Sequence, residues 1–326
     1  MEANLHLHSR YSDGSLWPAE IAARAAASGL AFAAVTDHDS LGGVPEFRTA
    51  AAALGLGVLP ACEIDCALPE LSYKSELLAY FPGAAEPSGY ARTDAFLRRI
   101  AARRETRLMA FVGRAKEIFR RGDLSFEELL ARKLGGRRVA EIDRGALSFS
   151  KVDLYEYLKA RGLVATSVEY REFRRAYFDS GLFPDGRFPR VLATEVAEPV
   201  LADGGVLVLP HPGHQFADDP RRLRAERPRL DRLLREFWEL GVRGVELYWY
   251  RGRETEEINA LVREAAEPLG YFFTYGSDCH GPGSSKESLG DYSGDFQGFP
   301  GFPAPAPATA RASATAQPGT TTATAP

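Results

Sequence analysis

Short apolar runs alternate with Ala-rich amphipathic stretches over the first ninety residues. Residues 3–8 (ANLHLH) read as a strand, and Pro18 opens a helical segment that runs to about Ser28. A second strand is expected over 31–36, a helix near Val44–Leu54, a third strand over 58–64 and a further short strand over 77–81. The same rhythm returns late, with strands at Val206–Leu209, Val242–Tyr248 and 271–275, and helices over 230–240 and 254–266. Strands alternating with helices predict parallel β–α units around a buried sheet. The middle breaks the rhythm: from about residue 90 to 199 the pattern is mainly helical and charged. We read 1–89 with 200–297 as one α/β body, and 90–199 as a helical subdomain inserted over one mouth of it. From Gly298 onward the chain is Pro, Ala and Thr with Arg311 as its only charge. Such a composition offers nothing to pack, so 298–326 is expected to be a disordered tail.

Composition bounds where such a fold works. The chain has 326 residues, is 45% hydrophobic and 26% charged, and carries a net charge of −4. It has ample length for a large core, and its charge gives no global attraction to nucleic acid or anionic membrane. No apolar stretch is long enough to cross a bilayer. Cys62, Cys66 and Cys279 are odd in number and form no C-x-x-C pair. That fits a reducing cytoplasm, the expected compartment, better than a disulfide framework. A cleaved leader is not expected, because it would remove His6 and His8.

All six histidines lie in polar clusters at the ends of apolar runs: His6 and His8 in LHLHSRYSDG, His38 in VTDHDS, His211 and His214 in VLPHPGH, and His280 in GSDCHG. Four separated clusters rich in one metal-binding residue type point to a single site assembled by folding. Strand alternation puts His6 and His8 on one face, and it puts Asp278 beside His280 with Cys279 turned away. Asp13 follows the first strand in a turn-rich SDG. Glu63 ends the third strand, where burying a carboxylate is costly without a cation or a donor. Parallel β/α folds place their sites at these C-terminal strand ends.

These motifs resemble the PHP (polymerase and histidinol phosphatase) family. HLHSRYSDG matches its H-x-H-x-x-x-S-D-G, TDHD is intact, CEID supplies the glutamate, and an HPG and an S-D-x-H follow in order. The resemblance implies a distorted (β/α)7 barrel with two or three divalent ions (Mn, Fe or Zn) at its C-terminal face. It assigns His6, His8, Glu63 and Asp278 to one ion, Glu63 and His211 to a second, and Asp13, His38 and His280 to a third near the leaving group. These last three are therefore the catalytic candidates. Where many relatives have a further histidine ligand this chain has Glu76, in ELLAYF. A carboxylate can serve the same ions. The implied activity is hydrolysis of a phosphate monoester or diester by metal-activated hydroxide.

The length, the insert and the placement of HPG resemble the branch containing nucleoside 3′,5′-bisphosphate phosphatases and 5′–3′ exoribonucleases. The implied substrate is a nucleotide or short oligonucleotide, with no membrane and no specific protein partner. That branch opens its insert with T-R-P-H, whereas this chain reads LSFSKVDLYEYL, leaving Lys151 as a substitute charge. Lys151, Arg190, His214 and Arg251 are the candidate substrate contacts. Two other readings stand beside this one: a PHP-like metal-binding module with little turnover, and a histidinol-phosphatase-like enzyme. Bland readings apply to other features. Ten Arg/Lys against three acids over Arg92–Arg121 read as the wet face of a long helix. Cys62 and Cys66 read as packing residues, and Tyr248, Trp249 and Tyr250 as locally packed aromatics rather than a base-stacking platform.

Overall fold

A computed structural model describes residues 1–183, 190–252, 254–287, 289–290 and 292–303. The first half of the α/β body is β1 (Glu2–Leu7), α1 (Pro18–Ala27), β2 (Phe32–Val35), α2 (Val44–Leu54), β3 (Gly57–Val58), β4 (Ala61–Leu68) and β5 (Tyr73–Tyr80). The helical segment follows as α3 (Ala91–Phe119), α4 (Phe126–Lys133), α5 (Lys151–Ala160) and α6 (Tyr170–Phe173), then β6 (Val191–Leu192) and α7 (Ala193–Ala202). The body resumes with β7 (Val206–Leu209), α8 (Pro220–Ala225), α9 (Arg227–Glu239), β8 (Val242–Tyr248), α10 (Thr255–Ala266) and β9 (Phe272–Gly276). Short strands β10 (Gly294–Asp295), β11 (Gly298–Phe299) and β12 (Phe302–Pro303) close the described chain.

The fold is α/β with two mixed sheets, ordered β10-β1-β2-β3 and β6-β4-β5-β7-β8-β9. Two parallel bridges stitch them together, Leu7 to Cys279 and His38 to Glu63. His8 N donates to Cys279 O at 2.9 Å across the first seam, and Asp39 N to Glu63 O at 2.7 Å across the second.

The expected strand over 58–64 is in fact two strands, because Pro60 supplies no N–H for a continuous ladder. Nor are all the body strands parallel. β5 runs antiparallel to both β4 and β7, since the 3₁₀ turn Pro69–Leu71 linking β4 to β5 is far too short for a crossover. This reversal has a consequence for the site. The start of β5 meets the end of β4, so Glu76 pairs with Asp65 at the edge where the parallel strands end.

Alternation along β4 divides its side chains. Cys62, Ile64 and Cys66 pack into the main apolar core with Leu77, Leu207, Phe237 and Val262, while Glu63 and Asp65 face the other way. The helical segment has a core of its own, built from residues such as Phe111, Phe126, Phe149, Leu158 and Phe173, which Tyr11 and Trp17 join from the α/β body. Residues 298–303 correct the expected start of the tail. They form an antiparallel pair, β11 with β12, and Phe299 is buried against Tyr80, Phe272 and Phe296. Two aromatics, Phe299 and Phe302, had been averaged into a Pro/Ala/Thr composition. The remainder of the expected tail, 304–326, lies outside the described residues. Among the described residues no helix is long and apolar enough to cross a membrane.

Candidate metal centre

Both seams between the sheets are lined by imidazoles and carboxylates. His8 follows β1 and meets the Asp278–His280 segment that follows β9; His38 follows β2 and meets Glu63 on β4. Three groups result. In the first, the Nε2 atoms of His6 and His8 lie 3.1 Å apart, and 3.3 and 3.4 Å from Glu63 Oε2. Asp278 Oδ1 is 3.2 Å from His8 Nε2. In the second, the other oxygen of Glu63 faces His211 Nε2 at 3.1 Å, with Glu76 Oε2 3.9 Å from the same nitrogen. The third joins His8, Asp13, His38 and His280, with Asp13 Oδ1 3.2 Å from His280 Nε2. Within each of the groups His6/His8/Glu63, Glu63/Glu76/His211 and His8/Asp13/His38/His280, donor atoms lie within 4.8 Å of one another.

These residues fit divalent ions. Asp13 Oδ1, His38 Nδ1 and Asp278 Oδ1 are buried with no hydrogen-bond partner among the described residues. A buried polar atom left so costs about 1–3 kcal/mol, which an ion in the cluster would offset. Imidazole and carboxylate together suit Mn²⁺, Fe²⁺ or Zn²⁺.

The charges of the metal-free cluster are strongly coupled. Burial resists ionisation of Asp13, yet His280 and His38 hold its carboxyl well below the usual range. Glu63 is likewise held low, by His6 and His38 against burial, and Asp278 by Lys286 and His280. Among the imidazoles, burial and the neighbouring His280 push His8 down to about 3. His38 rises to about 9, because Asp13 and Glu63 outweigh its burial. Burial, with Glu63 and Asp65 beside it, pushes Glu76 up to about 8.

The other singled-out residues fall around this cluster. His214 Nδ1 donates to Asp218 Oδ1 at 2.6 Å, and its ring packs on His211, Tyr248 and Tyr250. Arg190 reaches toward Glu76, 3.9 Å from its Oε1. Arg251 donates to Tyr248 Oη at 2.9 Å and to Ser277 O at 2.7 Å. Lys151 begins α5 with its ammonium 4.6 Å from the Phe178 ring centre. Cys279 turns away from the cluster, its Sγ donating to Glu287 O. Of the three aromatics, Tyr248 is buried and donates to Asp278 Oδ2 at 2.9 Å, Tyr250 Oη accepts from Gly213 N, and Trp249 stacks on Tyr292.

Sequence reading missed a supporting layer. Asp37 accepts from Ser9 N, Ser9 Oγ and Ser12 Oγ, folding the loop that presents Asp13. Lys286 pairs with Asp278 Oδ2. Arg104, from α3, pairs with both Asp39 and Asp65, which flank His38 and Glu63. Glu246, on β8, holds His6 and the backbone of His211. Asp37 and Asp39 stand in TDHD, Ser9 and Ser12 in HSRYSDG and Asp65 in CEID; the one clue to Glu246 was a glutamate inside the strand VRGVELY.

Residues 4–162 match the PHP domain, so the first half of the chain carries one, and the sequence aligns over most of its length with named relatives. A 3′,5′-nucleoside bisphosphate phosphatase of Chromobacterium violaceum is 26% identical over 296 residues, covering 88% of this chain and 90% of that one. A phosphoribosyl 1,2-cyclic phosphate 1,2-diphosphodiesterase of Eggerthella lenta is 27% identical, covering 86% and 95%. The solved structure of an amidohydrolase from Chromobacterium violaceum, with bound sulfate, superposes with a TM-score of 0.63 at 26% identity, over 87% of this chain and 89% of that one. A Bifidobacterium adolescentis protein shares the fold, with a TM-score of 0.66 at 24% identity over 90% and 92% of the two chains. The PHP match, these named relatives and the His/Asp/Glu cluster together support a metal-dependent phosphoesterase.

Proposed function

We propose that the substrate is a phosphate ester of a nucleotide, with a nucleoside 3′,5′-bisphosphate first among the candidates and a short oligonucleotide as the larger variant. The observation that carries this is the convergence of three His/Asp/Glu groups at one edge of the sheets, in a chain that aligns nearly end to end with a bisphosphate phosphatase. In this reading His6, His8, Glu63 and Asp278 hold one divalent ion, Glu63, Glu76 and His211 a second, and Asp13, His38 and His280 a third. Such ions, whether Mn²⁺, Fe²⁺ or Zn²⁺, withdraw charge from phosphate oxygens and make a proton of coordinated water easier to lose.

The chain's own part is to hold that geometry. Glu63 spans two groups with its two oxygens, fixing their spacing. Asp13, His38 and His280 gather on the leaving-group side. His214 and Arg190, with side chains 33% and 35% exposed, stand at the open edge, where phosphate or sugar would meet them. Arg251, held by Tyr248 Oη and Ser277 O, adds positive charge beside Asp278, and Lys151 adds another from the start of α5.

The same reading takes the seven strands β1, β2, β4, β5, β7, β8 and β9 as a distorted (β/α)7 barrel. The seam contacts Leu7–Cys279 and His38–Glu63 support closure of the ring. The helices within 90–199 are the insert over its mouth, supported by their separate apolar core. Three unpaired buried cysteines suit a cytoplasmic setting.

The test is phosphate release by Mn²⁺-loaded protein from nucleoside 3′,5′-bisphosphates, mononucleotides, short RNA, a cyclic phosphate and histidinol phosphate. Turnover is expected on the bisphosphate and lost in His8→Ala and Asp278→Ala. Turnover on histidinol phosphate alone contradicts the substrate assignment, and none on any compound favours a metal-binding module without activity.

A further inference from the structure

We propose that Glu246 is a positioning residue that locks two metal-binding histidines from different strands into one geometry. The inference rests on the metal-site reading above and assigns a role to a residue outside the ligand set. Glu246 lies on β8 with almost none of its surface exposed. One carboxylate oxygen accepts from His6 Nδ1 at 2.8 Å. The other accepts from the backbone N–H of His211 at 3.0 Å. Both acceptors of one buried carboxylate are therefore spent on ligand-bearing residues that are 205 positions apart in sequence.

Each bond fixes a different variable. A carboxylate can only accept, so His6 must carry its proton on Nδ1. That leaves Nε2, which faces His8, Glu63 and Asp278, as the nitrogen whose lone pair an ion would take, the arrangement a metal-bound imidazole requires. At His211 the fixed variable is the backbone. Its φ of 31° lies in the left-handed region, which a residue with a Cβ occupies only when its surroundings hold it. The bond to Glu246 is such a hold, and it sets where the imidazole projects from the end of β7.

A third observation shows that the site makes room for this carboxylate. On the neighbouring strand β9, a Cβ added at Gly276 would sit 1.9 Å from Glu246 Oε1 and 2.5 Å from His6 Cβ. The glycine leaves the space that the Glu246–His6 pair fills. A larger residue there would push the carboxylate off His6.

The experiment strips the full-length protein with chelator and titrates it with Mn²⁺, comparing wild type with Glu246→Gln, Glu246→Ala and Gly276→Ala. Circular dichroism of the metal-free proteins confirms that each is folded. Glu246→Ala is expected to weaken Mn²⁺ binding about 10- to 100-fold, the usual cost of losing an outer-shell partner. Glu246→Gln keeps one acceptor for His6 and is expected to recover part of that loss. Gly276→Ala is expected to reproduce the Ala phenotype with Glu246 itself unreplaced, by crowding its carboxylate off His6. The visible spectrum of the Co²⁺-loaded protein should change in Glu246→Ala, because ligand geometry and not only affinity is altered. Unchanged Mn²⁺ affinity and an unchanged Co²⁺ spectrum in folded Glu246→Ala would overturn the proposal while leaving the metal site standing. Absence of Mn²⁺ binding by the wild type would overturn both.

Discussion

At the scale of single residues, Glu76 departs most from the family pattern and makes the sharpest prediction. Burial and the adjacent Glu63 and Asp65 push its carboxyl from an ordinary 4.5 to about 8 in the metal-free chain. The unfolded chain loses this proton near 4.5, and the folded chain holds it to about 8. Across that window the folded state binds more protons, so Glu76 makes metal-free stability fall as pH rises. A metal ion at the Glu63/Glu76/His211 group displaces the proton instead. Binding of Mn²⁺ at pH 7 should then release about one proton more in the wild type than in Glu76→Gln, measured as a difference in the buffer dependence of the binding enthalpy. Equal release by the two proteins places Glu76 outside the metal site.

The residue scale also shows what was legible. His6, His8, Asp13, His38, Glu63, His211, Asp278 and His280 stood out because metal-binding chemistry admits few side-chain types, and each lies in a strand or in the segment that follows one. Glu246, Lys286 and Arg104 did not, because their meaning comes from partners brought close only by folding. Glu246 and His6 lie 240 positions apart, and an isolated Arg in a run of arginines has no local signature.

At the scale of elements, the long helix α3 does more than present a wet basic face. Arg104 turns inward, 4% exposed, and pairs with Asp39 and Asp65 while donating to Phe149 O at 3.1 Å. One guanidinium thus ties the helical segment to the loop that carries His38 and to the strand that carries Glu63. Asp39 sits in the left-handed region at φ 48°, and Asp65 N donates to its Oδ1 at 3.0 Å. Replacing Arg104 with Met leaves two carboxylates facing one another without their cation. Such a loss costs roughly 3–5 kcal/mol, read as a lower midpoint in denaturant unfolding, and Asp65→Asn in the same chain should recover part of it. A loss below about 1 kcal/mol contradicts the tie.

Elements were legible where periodicity is strong. The expected β–α alternation matches β1, α1, β2 and α2, and then β7 through β9, in type and order. It failed at β5, whose direction depends on the length of the connection rather than on the strand's own pattern. It failed again at β11 and β12, where Phe299 packs although its surroundings look like a tail.

For the whole molecule, the organising fact is that the two sheets meet at seams and the polar cluster occupies those seams. The bridges Leu7–Cys279 and His38–Glu63 are few, and each is flanked by residues with buried polar atoms that find no hydrogen-bond partner among the described residues. Ions held there would cross-link the sheets as well as serve the chemistry, so binding that favours the folded state adds to its stability. The central claim is therefore that this chain holds divalent ions at the seams. The most direct test is elemental analysis of the purified protein, after reconstitution with Mn²⁺ and removal of free metal, for the wild type and for His8→Ala. The account predicts two or three equivalents in the wild type and a lower count in the variant, whose lost imidazole belongs to two of the three groups. A wild type with no tightly bound ion, or a variant with the same count, would contradict it.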